Sequence, residues 1–373
     1  MKNEPIVEGK GWREASNVRL VHEGDLLDTL EAIGARTVRY EDQWMWRRFE
    51  PTDIAGDEQL PSDLLDGLRT YRDGHLGPIY VAGVGRYLIK CYDWDRPVAR
   101  VGEPRIEYEL LCLGQQRGVQ TMPRAYAAGY LSVGRKGEER GGHVTTAVVE
   151  ERIDGTSIAE LLRFVAPGDS ARRWLPAKDV ARVSLALAEA IVDLRVLNVS
   201  HCNLSVDNVI VRGGVIGESP SVALTGFEHA MPIQPSPLVD PVYGIDPVYS
   251  APESFFSRIP VNRVTLASDV WSLGAIVTTM LVGSEAWSWG ASTRLRGSLA
   301  LSDREMDELD RIRREPIDVA GLVARRARDT DGEGELIAEL ARVVEACTEY
   351  RARDRIGAEE LVNALRGALL RAG

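Results

Sequence analysis

The chain has few cysteines, no long apolar run and no excess of positive charge, and each shortage argues against a class of protein. Its four cysteines, Cys91, Cys112, Cys202 and Cys347, stand far apart and form no C-x-x-C pair. That spacing speaks against zinc sites and a disulfide framework; free thiols in a reducing, cytoplasmic compartment are the simplest account. A net charge of −11 argues against nonspecific nucleic-acid binding and against anionic membrane surfaces. The longest apolar run, residues 273–283, is interrupted by Thr278 and Thr279. It is too short to cross a bilayer and reads as a buried helix. The opening Met1-Lys2-Asn3-Glu4-Pro5 carries no apolar stretch, so no signal peptide is expected. What remains, 373 residues with 44% apolar and 27% charged side chains, is ordinary globular composition, with room for one large two-lobed unit or two domains.

Residues 1–60 hold clustered tryptophans (Trp44, Trp46) among charges and show no motif. They are expected to be an N-terminal extension of unknown role. From about residue 61 to 150 the pattern is β-rich. Residues 79–82 and 87–92 read as strands joined by a tight turn at Gly83-Val84-Gly85, and 105–117 as a helix stopped by Gly118. Further strands are expected over 125–131 and 145–153, with a polar turn at 136–142. After about residue 157 the chain turns helical, with predicted helices over 157–164, 177–197, 267–281, 303–314, 336–347 and 358–369.

Several stretches carry chemistry. Gly74 and Gly77 lie in a hairpin-like setting just before Ile79. Lys90 sits inside an apolar strand, where a buried charge needs an anionic partner, and the helix after it offers Glu107 and Glu109. Residues 200–211 contain His201, Cys202, Asn203 and Asn208; residues 222–228 contain Gly226, Phe227 and Glu228. Glu253 closes the run Tyr249-Ser250-Ala251-Pro252-Glu253, Asp269 lies in Ser268-Asp269-Val270-Trp271-Ser272-Leu273-Gly274, and Arg355 opens the last helix.

Taken in this order, these stretches resemble the protein kinase family over about residues 68–370. The resemblance implies an α+β, bilobal protein-kinase-like fold: a small β-rich N-lobe with one αC-type helix (about 61–150), a hinge (about 150–156) and a larger, mostly helical C-lobe (about 157–370). Gly74 and Gly77 match the second and third glycines of the phosphate-covering loop, with Arg72 in place of the first and Pro78 removing an N–H. Lys90 matches the lysine that meets the α- and β-phosphates. Glu107 is preferred as its partner by its spacing before Leu111, and Glu109 stays a second choice. Residues 149–158 resemble the adenine-binding hinge, placing Glu150 at the usually apolar gatekeeper position and Glu151 among the nucleotide-binding residues. His201, Phe227 and Leu111 keep the ring or apolar character that stacks the lobes in the family. Asp269 is expected to hold the catalytic-loop backbone, and Arg355 to pair with Glu253.

Two carboxylates of the family pattern are missing. Asn203 stands where the catalytic base belongs, and an amide cannot take a proton at neutral pH. Gly226 stands where a carboxylate holds magnesium, a hard cation that wants such oxygens. Of the metal pair only Asn208 remains; Glu228 is the candidate substitute carboxylate. The family's catalytic-loop arginine is Cys202 here. This pattern resembles a pseudokinase: a binding or regulatory scaffold with a protein partner, holding ATP weakly through Lys90, with Mg2+ doubtful. The alternative is an active ATP-dependent Ser/Thr protein kinase or small-molecule kinase with relocated carboxylates. Ser236, Tyr243, Tyr249 and Ser250 are candidate phosphorylation sites in the segment before Glu253, although a plain surface loop is preferred there.

Overall fold

The alternating runs around Lys90 become strands, and the amphipathic runs of the second half become helices, in the computed structural model of the chain. It describes residues 16–21, 69–73, 78–92, 104–135, 143–164, 174–233, 248–254, 266–283, 311–315, 317–318, 321 and 333–372. Gly74, Gly77, Ser236, Tyr243, the predicted turn at 136–142 and most of the predicted helix at 303–314 lie outside them. The chain divides into two units, one of Met1–Gln115 with Pro123–Arg152, the other of Gln116–Met122 with Ile153–Gly373.

Gln116–Met122, expected with the β-rich part, belongs to the second unit. There Leu224 donates its N–H to the Thr121 carbonyl at 2.7 Å, and Arg212 Nη2 donates to the Gln120 carbonyl at 2.9 Å. Conversely, β1 (Ser16–Val21), from the presumed extension, is a strand of the first unit's sheet.

That sheet has six strands in the order β1-β5-β6-β4-β3-β2, with β2 (Arg69–Asp73), β3 (Pro78–Ala82), β4 (Tyr87–Tyr92), β5 (Ala125–Arg135) and β6 (His143–Glu151). All its pairings are antiparallel. Strand β5 runs past its predicted end because it pairs on both sides, with β6 as far as Val133 and with β1 as far as Arg135. Among the described residues of this unit one helix, α1 (Pro104–Gln116), follows β4. Its opening proline sits where no intrahelical N–H is required.

In the second unit a short strand, β7 (Gly155–Ser157), leads into α2 (Ile158–Phe164) and then α3 (Ala177–Asp193). Helix α3 buries Val180, Val183, Leu187 and Ile191 along one stripe. The single helix predicted over 177–197 tightens into a 3-10 turn at Leu194–Leu197 and ends at Asn198, whose φ of 56° is left-handed. Two small sheets follow. Strand β9 (Val209–Arg212) lies between β10 (Val222–Leu224) and β7, and β8 (Val199–Ser200) pairs with β11 (Met231–Pro232).

Helix α4 (Leu266–Val282) is buried continuously from Ser268 to Leu281 and packs against α3 and against α5 (Gly334–Cys347). Apolar residues all round make a helix a core element. Two of its threonine hydroxyls are satisfied within the helix, Thr278 donating to the Gly274 carbonyl and Thr279 to that of Ala275. Helix α6 (Ala358–Arg371) packs on α3 and α5. Among the described residues no helix is long and apolar enough to cross a membrane. All four cysteines are free thiols.

The α4–α5 contact depends on Gly274. A Cβ there would lie 2.7 Å from Cys347 Cβ and 2.8 Å from Thr348 Cγ2, neither the end of a flexible side chain. Gly274→Ala is therefore expected to destabilise by about 1–3 kcal/mol through overpacking, despite alanine's better helix propensity. Urea unfolding at constant m-value checks it.

Candidate functional site

In the first unit, β4 carries Lys90 and Tyr92 on one face, two residues apart. Glu107 stands in the first turn of α1 and is fully buried. Its Oε1 accepts from Lys90 Nζ and its Oε2 from the Tyr92 hydroxyl. A carboxylate out of water needs such donors, and the charged one matters most. Glu109, the other candidate, is exposed. Tyr92 escaped the sequence reading, although the period of two along β4 places it beside Lys90.

Glu150 is 1% exposed and lies in register with Leu88 on β4 and Ala125 on β5, so it shares the sheet face of Lys90. Glu151 is half-buried and turned to its own sheet: Oε2 accepts from the Arg124 N–H at 3.2 Å, and its N–H donates to the Arg124 carbonyl at 2.8 Å.

The second unit holds the segment of missing carboxylates. Asp269, fully buried at the start of α4, draws the loop after β8 onto itself. Oδ2 accepts from Ser200 Oγ at 2.9 Å and the His201 N–H at 2.8 Å, and Oδ1 from the Cys202 N–H at 2.9 Å. These bonds hold Cys202 at a φ of 62°, a left-handed conformation costly for a residue with a Cβ. The His201 ring lies 4.5 Å from the Phe227 ring. Its Nδ1 accepts from the Asn203 N–H at 3.2 Å and its Nε2 faces the Thr225 carbonyl at 3.1 Å, a pattern that fits the neutral ring protonated on Nε2. Leu111 is fully buried within the first unit.

Asn203, Asn208 and Glu228 form a hydrogen-bonded chain. Asn208 Nδ2 donates to the Asn203 carbonyl at 2.8 Å, and Asn203 Nδ2 donates to Glu228 Oε1 at 3.3 Å. Gly226 has a φ of 84°, and a Cβ on it would lie 2.8 Å from Asn208 Nδ2 and 3.0 Å from its Cγ. The Asn208 amide thus rests against the bare α-carbon of Gly226. Among the described residues no group of three His, Cys, Asp or Glu side chains is placed to hold a metal ion. The donor set here is two neutral amides and one carboxylate already engaged with one of them, which does not fit a resident Mg2+. Asp207 is exposed.

Burial without full electrostatic compensation pushes the Asp269 carboxyl up to about 6 from 3.8; desolvation outweighs the bonds from His201, Cys202 and Ser200. A raised value means the folded state holds this proton more tightly than the unfolded chain. The stability it contributes is present below about pH 4 and lost as pH rises through about 6. Urea unfolding across pH 4.5–7 is expected to show this decline, superimposed on the other carboxylates, and Asp269→Asn to lack it. At pH 7 the same substitution is expected to cost about 2–3 kcal/mol, because an amide nitrogen replaces an oxygen that accepts N–H and O–H donors.

Near the end of the segment that follows, Arg355 Nη1 and Nη2 meet Glu253 Oε1 and Oε2 at 2.5 and 2.8 Å. The guanidinium stacks 4.9 Å from the Trp271 ring and also donates to the carbonyls of Glu349, Ala267 and Tyr350. Arg313, which the sequence did not single out, donates to the Ser250 carbonyl and lies 5.5 Å from the same ring. Tyr249 and Ser250 are buried, so phosphorylation there requires the segment to open first.

The family model for the protein kinase domain matches residues 139–365. The chain is similar to the serine/threonine-protein kinase ULK3 of Homo sapiens, at 34% identity over 35% of this chain and 27% of that protein. It is similar to the serine/threonine-protein kinase atg1 of Dictyostelium discoideum at 27% identity, over 41% of this chain and 22% of that protein. A third relative is mitogen-activated protein kinase kinase kinase 18 of Arabidopsis thaliana, at 26% identity over 40% of this chain and 42% of that protein. The matched stretch thus spans about a quarter of the length of the first two relatives.

Proposed function

This chain belongs to the protein kinase family, and from that premise we propose that it is a catalytically impaired member, a binding or regulatory scaffold for a protein partner in the cytoplasm. The observation that carries this reading is an amide at Asn203 and a bare α-carbon at Gly226, where the family pattern has carboxylates. Phosphoryl transfer depends on positioning and charge stabilisation by a base and by metal-held oxygens. Asn203 offers neither, and Gly226 has no side chain, with the Asn208 amide lying against it. ATP, where it binds, is held through Lys90 with Glu107 behind it, and the donor set predicts no requirement for Mg2+. The retained Asp269 and Arg355–Glu253 anchors support a protein whose shape is its function.

A transfer assay with radiolabelled ATP, Mg2+ and Mn2+ at high protein concentration is expected to give no incorporation. Incorporation lost in both Lys90→Ala and Glu228→Gln would overturn the proposal. The thermal shift produced by ATP, which follows RT ln(1 + [L]/Kd), is expected to be the same with and without Mg2+.

One observation favours the second reading, an active ATP-dependent kinase with a relocated carboxylate. Glu228 Oε1 lies 3.3 Å from Asn203 Nδ2, at the base position itself. That reading predicts that Glu228→Gln abolishes turnover while the melting temperature stays close to wild type.

A further inference from the structure

We propose that the turn between β3 and β4, together with the neighbouring start of β5, is a docking surface for an acidic segment of a protein partner, with an apolar side chain of that segment seated on Val84. The proposal rests on the reading of the chain as a binding scaffold and adds the chemistry of what it binds.

Two backbone irregularities meet at this end of the first unit's sheet. The first is the turn. Gly83, Val84 and Gly85 have φ of 56°, 55° and 92°. Glycine takes this conformation at no steric cost, whereas a β-branched residue is an outlier in it. Val84 is also 80% exposed, so burial does not offset the strain. The turn is nevertheless pinned. Arg86 donates its backbone N–H and its Nε to the Gly83 carbonyl, each at 3.2 Å, and Arg152 Nη1 donates to the Gly85 carbonyl at 3.4 Å. An apolar side chain fixed in water before a partner arrives loses little freedom on binding, which favours it as an anchor.

The second irregularity is a bulge. The pairing of β5 with β6 shifts register between Ala125 and Ala127, which leaves Tyr126 as the extra residue. Bulges re-aim side chains. The Tyr126 ring meets the Tyr87 ring edge-on at 4.9 Å, and the Arg86 guanidinium lies 5.5 Å from the centre of the Tyr87 ring. Burial raises the Tyr126 hydroxyl above its usual pKa and Glu151 and Tyr87 add to the rise, while Arg124 and Arg86 pull it down. Both guanidinium groups therefore lie within electrostatic reach of one phenol.

Arg86, Arg124 and Arg152 are all exposed and all belong to the first unit. Glu151, the acid among them, is half-buried and already accepts from the Arg124 N–H at 3.2 Å. The patch is thus cationic on a chain whose net charge is −11. Guanidinium groups meet carboxylates through paired hydrogen bonds, and the valine and the tyrosine rings supply apolar surface beside them. The acidity of the whole chain opposes an extended anionic membrane or nucleic acid, and leaves a short acidic peptide as the occupant that the local charge selects.

Random dodecapeptides displayed on phage and panned on the full-length chain test the proposal. Enriched peptides are expected to combine several acidic residues with a large apolar one. A fluorescein-labelled synthetic copy is expected to bind about tenfold more weakly to Arg86→Glu and to Arg124→Glu. Val84→Gly is expected to weaken binding by about the same factor with a melting temperature close to wild type, because relief of the left-handed strain offsets glycine's greater freedom when unfolded. A basic consensus, no enriched peptide, or unchanged affinity in these variants would overturn the proposal. So would binding to phosphatidylserine vesicles in place of peptide, or a concentration-dependent dimer, if the arginine variants lose it; the surface would then belong to a membrane or to a second copy. The transfer assay on the same preparations keeps the two readings apart. Phosphate incorporation with an intact peptide response overturns the scaffold reading alone, and silence in both overturns the docking surface alone.

Discussion

Glu253→Ala is expected to remove about 3–5 kcal/mol of stability and roughly 10 °C of melting temperature from the second unit. The Arg355 side chain is fully buried and that of Glu253 nearly so. Its guanidinium still faces the carbonyls of Ala267, Glu349 and Tyr350, but no carboxylate would balance its charge. Most of the loss comes from that stranded charge rather than from the pair's net worth. The double variant Glu253→Met, Arg355→Met is therefore expected to recover much of what the single one loses. Ser268 Oγ, which donates to Glu253 Oε1 at 2.9 Å, keeps a small residual penalty in the double variant. Chemical denaturation of the three proteins measures it, and a double variant no more stable than the single one would show that the effect lies elsewhere.

Lys90→Met is expected to cost about 3 kcal/mol in the first unit, for the mirror-image reason. It leaves the Glu107 carboxylate fully buried with the Tyr92 hydroxyl but without its cation. Tyr92→Phe is expected to cost less, about 1–2 kcal/mol, because the ion pair survives. Glu107→Gln combined with Lys90→Met is expected to restore part of the loss, since a neutral amide leaves no uncompensated charge buried. Thermal melts and urea curves check the order. The consequence for ligand work is direct: a Lys90 variant that no longer responds to ATP has also lost scaffold stability, and the double variant separates the two effects.

The anchors were legible because each sits in a short stretch whose letters are tied to a backbone task. Asp269 precedes a tryptophan and a glycine in a helix whose whole circumference is buried, and it takes the loop N–H groups as that context demands. Lys90 was legible because a lysine in an apolar strand must find an acid, and Glu107 faces it while Glu109 turns outward. Other features depend on contacts between distant parts of the chain, for which local pattern gives no signal. Strand β1 is six residues of weak alternation with no turn to mark it, and only the edge of β5 makes it a strand. The donation by Asn203 to Glu228 joins two loops whose approach depends on β8, β11 and the left-handed turn at Gly226. Arg313 looks like one charge among many until Trp271 and Ser250 give it a place. The segment 116–122 carries no mark of its attachment to the second unit, because that attachment is made by the carbonyls of Gln120 and Thr121, which every residue possesses.

The amide that rests on Gly226 also limits what this position can accept. An acidic side chain placed there brings its first carbon within 2.8 Å of a neighbour tied to the Asn203 carbonyl. The neighbour must swing aside before the newcomer fits. A carboxylate at 226 thus comes paired with a second rearrangement at 208, and the two changes are coupled rather than independent.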